Sequence, residues 1–193
     1  MPTENGADLV GYLMGGAPVV EGVEAAPVVT VVAEPIPTPP AEEVVTGSYV
    51  SMADDDMLDL MALMKRIGMA AKNLHYRAKG KPFYGLHLLS DLVWQVEHDT
   101  DEIAEIYYLG ERGIEPPKME EVCLKAATLP LTGEEGDKYY ISALLHITLE
   151  TMHKVEDIKK KYSELKSGVV AVLDHVSQQC LLSIGLLDQT MKG

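Results

Sequence analysis

Five side chains of types that bind metal ions lie on two predicted helical segments: His75, His87, Asp91, Asp101 and Glu105. Mixed imidazole and carboxylate ligands suit iron, and zinc or manganese would also fit them. On a helix of 3.6 residues per turn, His87 and Asp91 share one face, and Asp101 and Glu105 repeat that spacing. Glu105 follows His87 by eighteen residues, about five whole turns, so these four side chains point in roughly one direction. The pattern predicts metal chemistry along one helix face.

The same spacing divides the residues into two incomplete sites. Asp91 and Asp101 are ten residues apart, which is about 15 Å along a helix axis. A bound metal ion holds its ligands at about 2.0–2.2 Å, so one ion cannot contact both. A copy related by a two-fold axis would complete both half-sites, because residue i then meets residue j while j meets i. We therefore expect metal binding between two chains.

Long helices must position these residues. Hydrophobic side chains recur at helical spacing in four segments of close to 25 residues: 54–79, 83–109, 139–163 and 167–191. Pro116 and Pro117 follow the second segment, and a long connection with a short helix at 118–127 leads to the third. The order predicts an all-α, ferritin-like four-helix bundle with its long crossover between helices 2 and 3.

The charge distribution separates an acidic tail from the predicted bundle. Seven of the eleven prolines fall within residues 1–50, which we expect to be a disordered, Pro/Val-rich N-terminal tail, with the bundle at 51–193. Residues 1–64 carry eleven acids and no base, whereas the remaining residues carry a charge of only −3. DNA-binding arms need cations that replace counterions on the phosphates. DNA binding through this tail is therefore not expected.

Two cysteines are too few for a disulfide framework, and a reducing, cytoplasmic location is expected. No signal peptide is visible in the sequence. No apolar run approaches the roughly 20 residues that span a bilayer, so we expect no membrane association.

The stretch from Leu74 to Asp91 resembles the Dps family of miniferritins. That family pairs a His-aromatic step near the end of its first helix with Gly, Phe, a second His and an Asp. The matching residues here are His75, Tyr76, Gly80, Phe83, His87 and Asp91. The downstream Asp-x-x-x-Glu of the family corresponds to Asp101 and Glu105, and the clear resemblance covers about residues 70–117.

One departure from the family concerns the second half-site. The step from Asp91 to Asp101 is one residue shorter than the family norm, so strict spacing would select Glu102 and Ile106, which cannot both be ligands. Asp101 and Glu105 restore a carboxylate pair on the His87 face. A bulge in the second helix would reconcile the two spacings.

The resemblance implies a specific function. Dps-like proteins form hollow shells of twelve identical subunits and bind two irons at subunit two-folds. They oxidise Fe(II), preferably with hydrogen peroxide, and store the ferric product, which protects against oxidative damage. The expected ferroxidase site takes His75, His87 and Asp91 from one chain and Asp101 and Glu105 from its mate.

Alternative interpretations remain at this point. The bundle could be a structural or scaffold protein with degenerate metal sites and a partner-docking tail. It could also be a monomeric di-iron oxygenase, since Glu150 and His153 show the Glu-x-x-His spacing of intra-bundle sites. Their stripe, which includes His146 and Asp157, lies nearly opposite the apolar face of its helix and is expected to face solvent or an internal cavity. Tyr76 is expected to pack in the core, with radical interception as the functional alternative.

Overall fold

Helices account for the regular structure of the residues that the computed structural model describes, namely 47–80, 82–134 and 138–193. In chain order they are α1 (Gly47–Arg77), α2 (Phe83–Trp94), a 3₁₀ helix (Gln95–His98), α3 (Asp99–Ile103), a π-helical segment (Ala104–Arg112), α4 (Met119–Thr128), α5 (Tyr139–Lys161) and α6 (Ser167–Lys192). No strand occurs within these ranges. The predicted all-α class is confirmed.

Four long helical stretches form the bundle as predicted. They are α1, the run from α2 to the end of the π-helical segment, α5 and α6, and the crossover before α5 carries the short helix α4. Gly80 and Gly113 follow the first two stretches with φ of +74° and +63°, a conformation that glycine adopts without steric cost. Helix α1 begins at Gly47, before the expected boundary at Ser51. The predicted tail otherwise lies outside the described residues.

The core consists mainly of aliphatic and methionine side chains from all four long stretches, with Tyr107, Tyr108 and Tyr162 also buried in it. Helix α1 buries the predicted stripe and also Ala62 and Leu63, because it packs against α2, α4 and α5. The fully buried large residues include Met57, Leu60, Met61, Met64, Ile67, Leu144, Leu173 and Leu187. Burial of a side chain of this size stabilises the fold by about 1.5–3 kcal/mol, so this seam holds the helices that carry the candidate site.

Ion pairs attach the crossover helix to the bundle. Lys154 of α5 donates to Asp56 and Asp59 of α1 at 2.7 and 3.1 Å. Lys125 of α4 lies 2.7 Å from Asp59, and the Tyr162 hydroxyl donates to Asp56 at 2.5 Å. Burial alone would raise the pKa of Asp56, but the hydrogen bonds from Lys154, Lys161 and Tyr162 hold it well below its usual 3.8. The network joins α1, α4 and α5.

The π-helical segment is held against the start of α1. Tyr107 and Tyr108 are both buried, and their hydroxyls donate to the Asp54 carboxylate and to its backbone carbonyl, each at 2.8 Å. Arg112 adds a hydrogen bond to the same carboxylate at 3.1 Å. Burial, followed by the Asp54 charge, raises the pKa of both phenols above the usual range. In a π-helix each backbone hydrogen bond joins residues five apart in sequence, rather than four as in an α-helix. From this segment the adjacent residues Tyr107 and Tyr108 both reach α1.

Helix α6 corrects one expectation about membranes. By length and composition it is apolar enough to cross a bilayer, contrary to the prediction that no segment approaches this limit. In the fold, one face of α6 is buried in the bundle through Val172, Val176, Cys180 and Leu187. A helix in the core of a bundle can be as long and as apolar as a membrane span. The apolar composition of α6 is therefore explained by its packing in the bundle.

Candidate metal centre

His75, His87 and Asp91 come together at the end of α1 and the start of α2. Each offers a ligand atom, and these atoms all lie within 4.8 Å of one another. His75 Nδ1 lies 2.8 Å from Asp91 Oδ1. The two imidazole rings are tilted by 37° with centroids 3.6 Å apart. Two imidazoles and a carboxylate at this separation could supply three ligands to a first-row transition metal.

One ring nitrogen of His87 is an unsatisfied polar atom at this site. Nδ1 of His87 is buried and has no hydrogen-bond partner among the described residues, a state that costs about 1–3 kcal/mol. A cation bound to this nitrogen would satisfy it. Beside it is a small cavity of about 50 Å³, lined by Ala71, Lys72, His75, Tyr76, Ser90, Asp91 and Trp94. The donor set and the cavity fit a metal ion.

Ser90 is a member of the site that the sequence pattern did not reveal. Its side chain is buried. The hydroxyl donates to the His87 carbonyl at 2.8 Å and lies 3.4 Å from His75 Nδ1. Ser90 therefore links the two histidine-bearing helices and restricts the orientation of the His75 ring. A single serine at this position carries no spacing signal of its own.

Asp101 and Glu105 lie elsewhere on the surface. Both are exposed, Asp101 on α3 and Glu105 on the π-helical segment. Within the described ranges, neither belongs to a group of His, Cys, Asp and Glu side chains close enough to share a metal ion. In a single chain the two predicted half-sites thus remain apart.

The 3₁₀ helix can compensate for the step from Asp91 to Asp101, which is one residue shorter than the Dps family norm. A 3₁₀ residue turns the chain by about 120° rather than about 100°, so the four residues Gln95–His98 add about 80°. The ten-residue step from Asp91 to Asp101 would fall about 80° short of three turns in a regular α-helix. With the tightened turn it becomes about three whole turns and about 17 Å of axial rise. With ideal helix parameters, this geometry would put Asp101 on the face of Asp91, on a separate part of it.

Glu97 holds the tightened turn in place. Its carboxylate accepts hydrogen bonds from Trp94 Nε1 at 2.6 Å and from Lys65 Nζ at 3.1 Å. Its backbone carbonyl accepts a bond from the Thr100 hydroxyl at 2.6 Å. The carboxylate lies over Gly68 of α1, where a Cβ atom would stand only 1.7 Å from Glu97 Oε2. A Cβ at this position of α1 would force the Glu97 carboxylate to move from its present place.

We predict that Gly68→Ala destabilises the protein by roughly 1–3 kcal/mol, because the new methyl group expels Glu97 and leaves its buried donors unsatisfied. Urea denaturation followed by circular dichroism measures this change. Gly85→Ala is the matched control, since a Cβ there meets nothing within 4 Å and alanine favours helix. Equal midpoints for the two variants would contradict the role assigned to Gly68.

Other candidate residues have different positions. The stripe of His146, Glu150, His153 and Asp157 on α5 is exposed, as predicted, and no described neighbour completes a metal-binding group with it. This arrangement disfavours a di-iron site inside the bundle core.

The expectation that Tyr76 packs in the core is wrong. Its side chain is 76% exposed, and its ring stands edge-on to His75 with the centroids 5.4 Å apart. Tyr76 follows His75 in the last turn of α1 and lies outside the face that packs in the bundle.

Cys180, by contrast, is buried, and burial raises the pKa of its thiol to about 12. The protonated thiol is unsuited to metal binding.

Solved structures of Dps proteins share this fold. A mutant of Dps1 from Mycobacterium smegmatis superposes with a TM-score of 0.62 at 16% identity, covering 76% of this chain and 99% of that one. Dps from Thermosynechococcus elongatus gives 0.60 at 14% identity, with coverages of 75% and 92%. DpsC from Streptomyces coelicolor gives 0.62 at 18% identity, with coverages of 78% and 89%. The chain therefore has the ferritin-like fold of Dps proteins.

No protein-family model matches the sequence, and no curated protein matches it significantly. Identities of this size establish the fold and not the activity. The activity must be argued from the side chains of the candidate metal centre.

Proposed function

We propose that this Dps-type chain is a ferroxidase that binds and oxidises Fe(II) between two copies of itself and stores the ferric product in a hollow shell. The observation that carries the proposal is the incomplete half-site of His75, His87 and Asp91, and exposed Asp101 and Glu105 farther along the same helical stretch support it. Neither group alone offers a full coordination shell. Two chains related by a dyad would supply both.

The residues divide the chemistry between them. His75, His87 and Asp91 would bind the first Fe(II), which is the substrate, with the orphaned Nδ1 of His87 as one ligand. Asp101 and Glu105 of the mate would complete the site and hold a second Fe(II). Each Fe(II) gives one electron to hydrogen peroxide, which takes up two protons and leaves as two water molecules. Carboxylates favour the ferric product because they carry negative charge.

Exposed apolar side chains near the half-site support contact with a second copy. Tyr84 is 70% exposed beside the predicted site, and Phe83 and Leu88 of the same helix are also exposed. Contiguous apolar surface of this kind commonly marks an interface. Phe83 also stacks on His87, with centroids 5.3 Å apart, so burial of this surface would exclude water from the half-site. The proposed assembly is a cytoplasmic homo-oligomer, a dodecamer by analogy with the family.

The test combines mass in solution with the position of iron. We expect a large homo-oligomer by light scattering, iron-dependent consumption of hydrogen peroxide, and anomalous iron peaks between His87 of one copy and Asp101 of its neighbour in crystals soaked anaerobically with Fe(II). A large assembly with empty grooves and no peroxide consumption would instead support the scaffold interpretation. Iron inside one isolated bundle would exclude the intersubunit site.

A further inference from the structure

A second group of potential metal ligands joins α3 to α6. Asp99 and Glu102 lie on α3 and His175 lies on α6, and their ligand atoms all fall within 4.8 Å of one another. Asp99 Oδ2 lies 3.1 Å from His175 Nδ1. Among the described residues, neither Asp101 nor Glu105 belongs to this group. The group belongs entirely to one chain.

Asp99 is the buried member of this group. Its side chain is 9% exposed, whereas that of His175 is 49% exposed. Among the described residues, Asp99 Oδ2 is shielded from solvent and receives no well-directed hydrogen bond, and the His175 ring nitrogen 3.1 Å away is its ion-pair partner. Burial of a carboxylate without full compensation costs several kcal/mol. A cation held by this oxygen, Glu102 and His175 would compensate the burial of the carboxylate.

The surroundings supply the remaining features of a metal site. Glu102 is exposed, so it offers a second carboxylate from the solvent side and leaves a route of entry. Gln179, one turn after His175, places its amide 3.4 Å from the other ring nitrogen of that histidine. An amide accepts a hydrogen bond through its oxygen after a simple rotation. A histidine that binds a metal through one nitrogen usually donates the other N–H to such a partner.

We infer that Asp99, Glu102 and His175 form an intrachain site for a divalent transition-metal cation, separate from the intersubunit half-site. Two carboxylates and one imidazole provide three ligands, and water fills the remaining positions. This donor set suits Fe(II), Mn(II), Co(II) and Zn(II), and it is unlike the all-oxygen sites that magnesium and calcium prefer. Because all three ligands come from one chain, occupancy requires no partner subunit.

Cobalt(II) titration of the full chain tests the inference, with visible absorption as the readout. The background is a His75→Ala, His87→Ala chain, which lacks the half-site. We expect one equivalent of Co(II) per chain in this background. Further substitution of His175→Ala should weaken binding at least about tenfold, whereas His153→Ala, an exposed histidine on α5, should leave it unchanged.

Glu102→Gln provides a second variant that keeps the Asp99–His175 contact and changes an exposed residue. It should also weaken Co(II) binding, while circular dichroism confirms the helical content. Co(II) affinity equal to that of the background in both variants would overturn the inference and reduce the group to an ion pair. The background lacks the half-site, so equal Co(II) affinity in both variants would not count against the proposed ferroxidase function. Conversely, failure of the ferroxidase proposal would not count against the site at Asp99, Glu102 and His175.

Discussion

Replacement of His87 by alanine is expected to lower the rate of Fe(II) oxidation by about 100-fold or more while the assembly persists. Loss of partners that only orient a ligand costs 10–100-fold, so loss of a ligand itself should reach at least the upper value. The fold should tolerate the change, because the buried Nδ1 of His87 has no partner that would be left unsatisfied. Stopped-flow absorbance of the ferric product measures the rate, and light scattering measures the assembly.

His153→Ala is the matched control for this experiment. Its side chain is exposed on α5 and belongs to no group of ligand atoms among the described residues. The control should oxidise Fe(II) at the rate of the unmodified protein. If the two variants oxidise Fe(II) equally fast, the half-site has no part in ferroxidation and the proposed function fails.

Mixed assembly of two inactive variants should restore activity, and this is the sharpest test of a site shared between chains. One variant is His87→Ala and the other is Asp101→Asn with Glu105→Gln. Each alone should be inactive. A dyad pairing of one with the other contains one site with both defects and one site with none. Random mixing makes about half of the pairs of this kind, so about a quarter of the full activity should return.

The mixture must be unfolded and refolded together, because preformed shells would not exchange chains. Mixing the two variants without refolding is the control, and it should remain inactive. Activity that stays absent after joint refolding, with assemblies of normal mass, would show that the imidazole and acidic groups do not meet across an interface. A site confined to one chain predicts that absence.

The helices and their buried faces could be predicted from the sequence because they depend on local periodicity. The apolar stripe of α1 and the four-residue step from His87 to Asp91 are set by helical rise and rotation alone. The step from His75 to His87 crosses a short connection, and its length allows little choice of geometry. For these reasons the fold class and the first half-site were accessible without coordinates.

The remaining features depend on contacts between residues distant in sequence. Glu97 contacts Gly68 of the distant helix α1 and lies in the 3₁₀ helix that precedes Asp101, and the spacing of charged residues along one helix does not reveal such a contact. Asp99 and His175 are brought together only by the packing of α3 on α6. Local spacing predicts which residues share one helix face. It does not show which two helices become neighbours or which partner a buried carboxylate finds. The tertiary structure therefore decided the contact of Glu97 with α1 and the existence of the second group of potential metal ligands.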